Sequence, residues 1–109
     1  MRLPGDAIIP LEKLTRYLLV PRPRGDKSKF LARAGFTREN PRQLLDALRE
    51  HVARHDAVAE RSSEYGQFLV VEGELAGPNG IRLPVVSVWL RWHKDDSVHF
   101  VTLKPGKEY

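Results

Sequence analysis

Histidines are the residues of this chain best suited to proton transfer at neutral pH, and their spacing indicates which of them could perform it. His99 lies inside a predicted strand, where the pleat sets the direction of its side chain. This makes it the histidine best placed for general acid–base work. The alternative is an ordinary half-exposed strand residue, and both interpretations remain open. His93 lies in a predicted turn and is expected to face solvent.

His51 and His55 are four positions apart on a predicted helix, which is the spacing of two metal ligands on one helical face. The acid that a zinc protease carries between two such histidines is missing, no third ligand stands out, and the chain has no cysteine. We therefore interpret both residues as solvent-facing positions near a helix C-terminus, and we predict no bound metal and no cofactor.

Positive charge is concentrated in the first half of the chain. The net charge is +4, and residues 1–60 hold twelve Lys or Arg against eight Asp or Glu, whereas residues 61–109 hold six of each. A dense basic stretch attracts phosphate groups, although a basic surface without a ligand is the alternative. The densest stretch contains one acid, Asp26, and the basic residues Arg16, Arg22, Arg24, Lys27, Lys29 and Arg33.

Ser87 and Trp89 occupy alternate positions of a predicted strand and are expected on its outward face. An aromatic ring beside a hydroxyl on an open sheet face can stack a nucleobase and bind a phosphate. The alternative is a Trp89 ring covered by a loop or by the N-terminal segment. Asp95 and Asp96 favour a turn, and no glycine-rich phosphate-binding loop occurs.

Three helices are predicted before residue 56. The first follows Pro10 and has leucines at i, i+3 and i+7. The second is expected to begin at an N-cap, Asp26, and to end at Gly35. The third is predicted from Asn40, which is expected to cap it, to about His55, with Pro41 at its first position. Its apolar stripe consists of Leu44, Leu45, Leu48 and Val52.

Beyond Tyr65 the pattern is typical of strands, and short connections between them favour a meander. Turns are predicted at residues 77–80 and 93–97. In the strand at residues 85–92 we expect the even-numbered positions to face the helices: Val86, Val88, Leu90 and Trp92. The predicted fold is α+β: three N-terminal helices packed on one face of a C-terminal antiparallel β-meander of three or four strands, in a single domain spanning residues 1–109. The absence of cysteines, of a signal peptide and of a long apolar segment predicts a cytoplasmic protein that does not enter a membrane.

Several short motifs occur together along nearly the whole chain: Ile9-Pro10, Arg24-Gly25, Lys27, Phe30, Gly35-Phe36, Tyr65-Gly66, Gly77-Pro78-Asn79-Gly80, Val88-Trp89, Val101-Thr102 and Pro105. In this joint pattern the chain resembles an uncharacterised family of short bacterial proteins. His99 stands where that family usually has an arginine, and Lys104 stands where it has an aromatic residue. Both replacements are polar and compatible with a phosphate site.

The resemblance implies a toxin module, because similar domains occur alone beside a small partner gene and at the tails of larger bacterial toxins. Their layout is similar to that of the metal-independent ribonucleases, the superfamily that includes barnase, the colicin nucleases and toxins of the RelE type. The expected function is a ribonuclease-like toxin of a toxin–antitoxin pair. Its expected partners are RNA and a small antitoxin or immunity-like protein.

Metal-independent cleavage of RNA needs a base, an acid and cations that stabilise the phosphorane. The predicted catalytic residues are Lys27, His99, Thr102 and Ser87, and the predicted RNA- or phosphate-binding residues are Arg22, Arg24, Lys29, Trp89 and Tyr65. His99 and Thr102 are three positions apart and would point to opposite faces of a regular strand, so a bulge or a strand-end position is required to use both.

A non-catalytic interaction module is the alternative function. The ribonuclease hypothesis requires Lys27 to share a cleft with His99 or Thr102. The interaction hypothesis requires a flat apolar patch around Trp89, or an exposed sheet edge.

Overall fold

The computed structural model describes residues 1–24 and 27–106 of the chain. Its elements are α1 (Leu11–Lys13), a π-helical turn (Leu14–Leu18), α2 (Ser28–Ala32), α3 (Pro41–Arg54), β1 (Ala57–Ser62), β2 (Gly66–Ala76), β3 (Arg82–Trp92) and β4 (Val98–Pro105). The four strands form one antiparallel sheet in the order β1-β2-β3-β4. The α+β class and the meander are confirmed. Asp26, the predicted cap of α2, lies outside the described residues, and so does Gly25.

The helices begin and end close to the predicted positions. The leucines of the first segment, Leu14 and Leu18, are fully buried. Gly35 ends the α2 region with φ +92°, as a left-handed residue after a helix should. Asn40 precedes α3 but makes no side-chain cap; its amide instead bonds the loop before it, donating to the carbonyl of Gly35 at 2.9 Å. The predicted side-chain cap by Asn40 is therefore wrong, and the backbone amide of Gln43 donates instead to the backbone carbonyl of Asn40 at 3.0 Å.

The third helix packs on the sheet through its predicted stripe, and it contacts β2. Leu44 and Leu48 are fully buried, and Val52 is 5% exposed. His51 is also buried, so its predicted exposure is wrong. It follows Leu44 by seven positions and Leu48 by three, which places its ring in the same apolar stripe.

The orientation of β3 is the reverse of the prediction. Between residues 83 and 90 its odd-numbered side chains are buried against the helices, and its even-numbered side chains are only half-buried. Ser87 and Trp89, expected outside, are both 0% exposed. Alternation could not decide between the faces because both are largely apolar, and burying the odd face places the large Trp89 ring in the core.

The first strand was not predicted. It is an edge strand in which only Ala57 is buried, and its charged, exposed residues lack the alternation that marks a half-buried strand. The N-terminal segment runs between the two edges of the sheet. The carbonyl of Met1 accepts a hydrogen bond from Ala57 at 2.6 Å, and Ile8 forms a parallel bridge with His99 at the edge of β4.

The predicted turn at residues 77–80 joins β2 to β3 and contacts the end of α2. The side-chain amide of Asn79 donates from Nδ2 to the carbonyl of Arg33 at 3.1 Å. At Gly77 a Cβ atom would overlap the carbonyl of Ala34, so this close approach requires glycine.

Within the described residues the longest helix, α3, has 14 residues, and no helix is long and apolar enough to cross a membrane.

Candidate functional site

A bulge in β4 brings His99 and Thr102 to the same face of the sheet. Leu90 of β3 pairs with His99, and Val88 pairs with Thr102. Leu90 and Val88 are two positions apart, whereas His99 and Thr102 are three positions apart, so β4 contains one extra residue. Because Val88 and Leu90 share a face, so do their partners. The bulge that the ribonuclease hypothesis required is therefore present.

This face lies opposite the helices, and we call it the open face. It is formed in rows across the strands: Gly66 and Trp92; Phe68, Leu90 and His99; Val70, Val88 and Thr102; Glu72, Val86 and Lys104. Most of its apolar residues are half-buried. It thus combines aromatic rings, aliphatic side chains and polar groups of β4 on one accessible surface.

Lys27 and Thr102 are in direct contact although 75 positions separate them. The Nζ of Lys27 donates a hydrogen bond of 2.7 Å to the Oγ1 of Thr102, and both side chains are partly buried. The ammonium is also 5.6 Å from the centre of the Tyr17 ring, over which the guanidinium of Arg22 lies at 4.5 Å. Two cations thus converge on one aromatic ring beside the bulge.

A third cation contacts the bulge itself. The Nζ of Lys13 donates to the carbonyl of Val101 at 3.1 Å. The first helical segment therefore holds Lys13 and Tyr17 beside the bulge of β4, and the loop before α2 brings Lys27 to the same place. Sequence reasoning missed both residues, although they lie four apart on the polar side of the predicted helix.

The ring of His99 is held by neighbours on two sides. It stacks on the indole of Trp92 with 4.8 Å between centroids, and the Nζ of Lys94 lies 4.5 Å from a ring centre of that indole. Its Nε2 lies 2.8 Å from the Oγ of Ser97, which is 2.6 Å from Oδ1 of Asp95. The Ser97 hydroxyl and amide lower the pKa of the Asp95 carboxyl, which keeps it a carboxylate.

Ser87 and Trp89 belong to a buried network instead of the site. The indole Nε1 of Trp89 donates to the Oγ of Ser87 at 2.9 Å, and that oxygen lies 2.9 Å from Nε2 of His51. Neither side chain is accessible to RNA, because both are fully buried. Their predicted roles, orienting a phosphate and stacking a base, are therefore wrong.

The other predicted binding residues are exposed. Arg24 and Lys29 lie on either side of Lys27 in the sequence, and Arg22 covers Tyr17. Tyr65 is 69% exposed, and its carbonyl accepts a hydrogen bond from the amide of His93. It precedes Gly66, so it lies at the Trp92 end of the open face, away from Thr102.

No group of three or more potential metal ligands is present within residues 1–24 and 27–106. His51 and His55 are near each other, with 5.5 Å between ring centroids. His51 nevertheless uses both ring nitrogens in contacts with protein, one with Ser87 and one with the carbonyl of Glu74. The pair therefore contributes to packing within the structure.

Comparison with known proteins identifies one family. A family model described as a domain of unknown function, DUF6883, matches residues 4–107. No curated protein and no solved structure shows a significant match to the chain.

Proposed function

The chain belongs to the DUF6883 family, and we propose that it is a metal-independent, ribonuclease-like protein that binds RNA across the open face. One observation carries this proposal: the 2.7 Å hydrogen bond between Lys27 and Thr102, on the strand whose bulge turns His99 to the same face. A cation, a hydroxyl and an imidazole thereby lie along one edge. Residues in adjacent rows of a strand face are roughly 7 Å apart.

In the proposed reaction His99 takes the proton of the RNA 2′-hydroxyl, and O2′ forms a bond to phosphorus. The bond between phosphorus and O5′ breaks, leaving a 2′,3′-cyclic phosphate. Lys27 stabilises the charge of the phosphorane and protonates the leaving O5′, and solvent restores its proton. Thr102 orients the Lys27 ammonium. His99 then releases its proton to solvent, so both groups return to their starting protonation states.

Because Trp89 is buried, the aromatic rings of the open face stack the bases in this proposal. Trp92 and Phe68 are half-buried there, with Lys94 and Arg61 placed over their rings at 4.5 and 4.8 Å. A nucleobase can displace such a cation from a ring, and the cation then becomes available to a phosphate. This combination favours single-stranded RNA, whose bases are free to stack.

The resemblance to toxin modules supports the biological setting. We propose that the protein acts as the toxin of a toxin–antitoxin pair and that a small antitoxin masks Lys27 and the cations around Tyr17. An acidic partner suits this site, because Lys13, Arg22 and Lys27 all lie near the bulge of β4. Induced expression in bacteria should stop growth, and Lys27→Ala should relieve the arrest.

The direct test is incubation of the purified protein with total RNA, with and without EDTA. We expect cleavage in both conditions, ending in cyclic phosphates. Lys27→Ala should lower the cleavage rate by about 100-fold, as loss of an acid–base or charge-stabilising group does. Binding should weaken far less, because the proposed role of Lys27 is greatest in the transition state.

Arg42→Ala is the matched control for this test. It removes one positive charge from an exposed position of α3, in the helical layer on the other side of the sheet, and should leave cleavage unchanged. Cleavage that EDTA abolishes, or equal rates in wild type and Lys27→Ala, would refute the proposal.

A protein-interaction module remains the second candidate, because the open face is rich in half-buried apolar residues. These include Val70, Val88 and Leu90. The patch does not surround Trp89, as first expected, because Trp89 is in the core. If the protein is an interaction module, it should not cleave RNA. It should bind a partner protein, and this binding should be lost in Leu90→Glu and retained in Lys27→Ala.

A further inference from the structure

Asp95, Ser97 and His99 form a linear chain of hydrogen bonds along the β3–β4 turn and the start of β4. The Oγ of Ser97 lies 2.6 Å from Oδ1 of Asp95 and 2.8 Å from Nε2 of His99. The backbone amide of Ser97 also donates to Asp95 Oδ1 at 3.0 Å. The two bonds to one carboxylate oxygen hold the Ser97 hydroxyl close to the imidazole.

The chemistry of the three groups sets the direction of these bonds. A carboxylate only accepts, and the hydroxyl has a single proton, so Ser97 donates that proton to Asp95. The Ser97 oxygen is then an acceptor toward His99, and Nε2 of His99 must carry a proton. In the neutral imidazole the other nitrogen, Nδ1, is therefore unprotonated and basic.

The position of the ring is defined as well as its tautomer. Trp92 covers one face of the imidazole, and Ile8 bridges the backbone of His99 from the outer edge of β4. Within the described part of the chain, Nδ1 of His99 has no hydrogen-bond partner. The basic nitrogen is thus the one left available on a ring that is otherwise fixed.

We infer that Ser97 and Asp95 are positioning residues that hold His99 in the Nε2–H tautomer and present Nδ1 as the general base. As a statement about RNA cleavage this rests on the proposed function; as a statement about the tautomer it does not. The 2′-hydroxyl proton passes to Nδ1 while O2′ bonds to phosphorus, and O5′ leaves with a proton from Lys27. The carboxylate keeps its charge throughout, and its effect on the forming imidazolium is transmitted by the hydroxyl.

The test combines a spectroscopic measurement with kinetics. Nitrogen-15 NMR of the histidine rings in the wild type should show His99 with a protonated Nε2 and an unprotonated Nδ1. In Ser97→Ala the signals should move toward a mixture of tautomers, and RNA cleavage should fall by roughly 10- to 100-fold, as when a partner that orients a functional histidine is removed. Ser97→Thr keeps the hydroxyl and should restore both.

Asp96→Asn is the matched control, because it neutralises the neighbouring acid. Asp96 has φ +60°, a conformation that asparagine tolerates. This variant should keep the wild-type tautomer and rate. A wild-type His99 without the Nε2–H tautomer, or a Ser97→Ala variant with unchanged signals, would overturn the inference. If the NMR result holds but no variant cleaves RNA, the positioning role stands and the proposed ribonuclease activity fails.

Discussion

At the scale of single residues, the buried imidazole of His51 shows how the interior accommodates polar groups. Its Nδ1 faces the carbonyl of Glu74 at 3.3 Å and must donate to it, so Nε2 accepts the hydroxyl proton of Ser87. Ser87 in turn accepts the indole N–H of Trp89. Each buried polar atom in this network has a partner, which is the condition for burying it at small cost.

The same burial predicts a dependence of stability on pH. Loss of hydration lowers the pKa of His51, more strongly than its bond to Glu74 raises it. In the unfolded chain a histidine takes up a proton below about pH 6.5, whereas folded His51 resists it. The free energy of unfolding should therefore decrease as the pH falls below about 6.5, measured by urea titrations at pH 7.5 and 5.5.

In His51→Gln this acid-side decrease should be smaller, although the variant is less stable at both pH values because the network loses a partner. His93→Gln changes an exposed ring in the β3–β4 turn and is the control that should keep the wild-type decrease. An equal decrease in wild type and His51→Gln would show that other groups cause it.

At the scale of secondary-structure elements, the two apolar faces of β3 explain the reversed orientation. On the odd-numbered face Leu83, Val85 and Trp89 are buried in the core. Ser87, on the same face, forms a hydrogen bond with His51 of α3. The choice depends on that partner, which a strand pattern does not reveal. The bulge in β4, by contrast, left a trace in the sequence: its buried residues Val98, Phe100 and Leu103 change phase between 100 and 103.

Helix α3 carries the clearest prediction at this scale. Leu48 is 0% exposed in the centre of its apolar stripe, so Leu48→Ala should lower the free energy of unfolding by about 2–5 kcal/mol. Gln43→Ala, at an exposed position of the same helix, should change it by less than about 0.5 kcal/mol. Chemical denaturation of the two variants measures both. A small loss for Leu48→Ala would mean that this helix does not pack on the sheet as described.

At the scale of the whole molecule, the excess of positive charge has a location. The basic residues of the first half reach the bulge of β4 through Lys13 and Lys27, while Arg24 and Lys29 flank Lys27 at exposed positions. Glu72 and Glu74 lie on β2, which β3 separates from β4 in the sheet. An RNA strand is therefore expected to bind nearest the β4 edge, where cations outnumber acids.

Salt dependence tests this location. Binding of RNA should weaken steeply with salt concentration, because each phosphate contact releases counterions. Arg24→Ala and Lys27→Ala should each reduce the slope of log K against log salt by roughly one contact, about 0.7 for single-stranded RNA. Fluorescence anisotropy with a labelled single-stranded RNA at several salt concentrations measures the slopes.

Arg42→Ala again provides the control, since it lowers the net charge by the same amount from the helical layer. Its slope should match that of the wild type. If the double variant of Arg24 and Lys27 also keeps the wild-type slope and affinity, these residues do not bind RNA, and the interaction module becomes the leading function.

The sequence by itself determined the features that depend on neighbouring residues. The α+β class, the apolar stripe of α3, the turn at residues 77–80 and the left-handed Gly35 all follow from local periodicity and backbone preference. The candidates Lys27, His99 and Thr102 could be named in the same way, because their residue types and their places near a loop and along a strand are local facts.

Only the tertiary structure decided which of these candidates meet. The hydrogen bond between Lys27 and Thr102 connects residues 75 positions apart. Tyr17 contacts Lys27, and Lys13 contacts the bulge of β4, because the first helical segment packs beside that strand. The buried face of β3 and the burial of His51 were settled together, because each satisfies a polar group of the other element. Such choices depend on the packing free energy of the whole core, to which no single segment's pattern gives access.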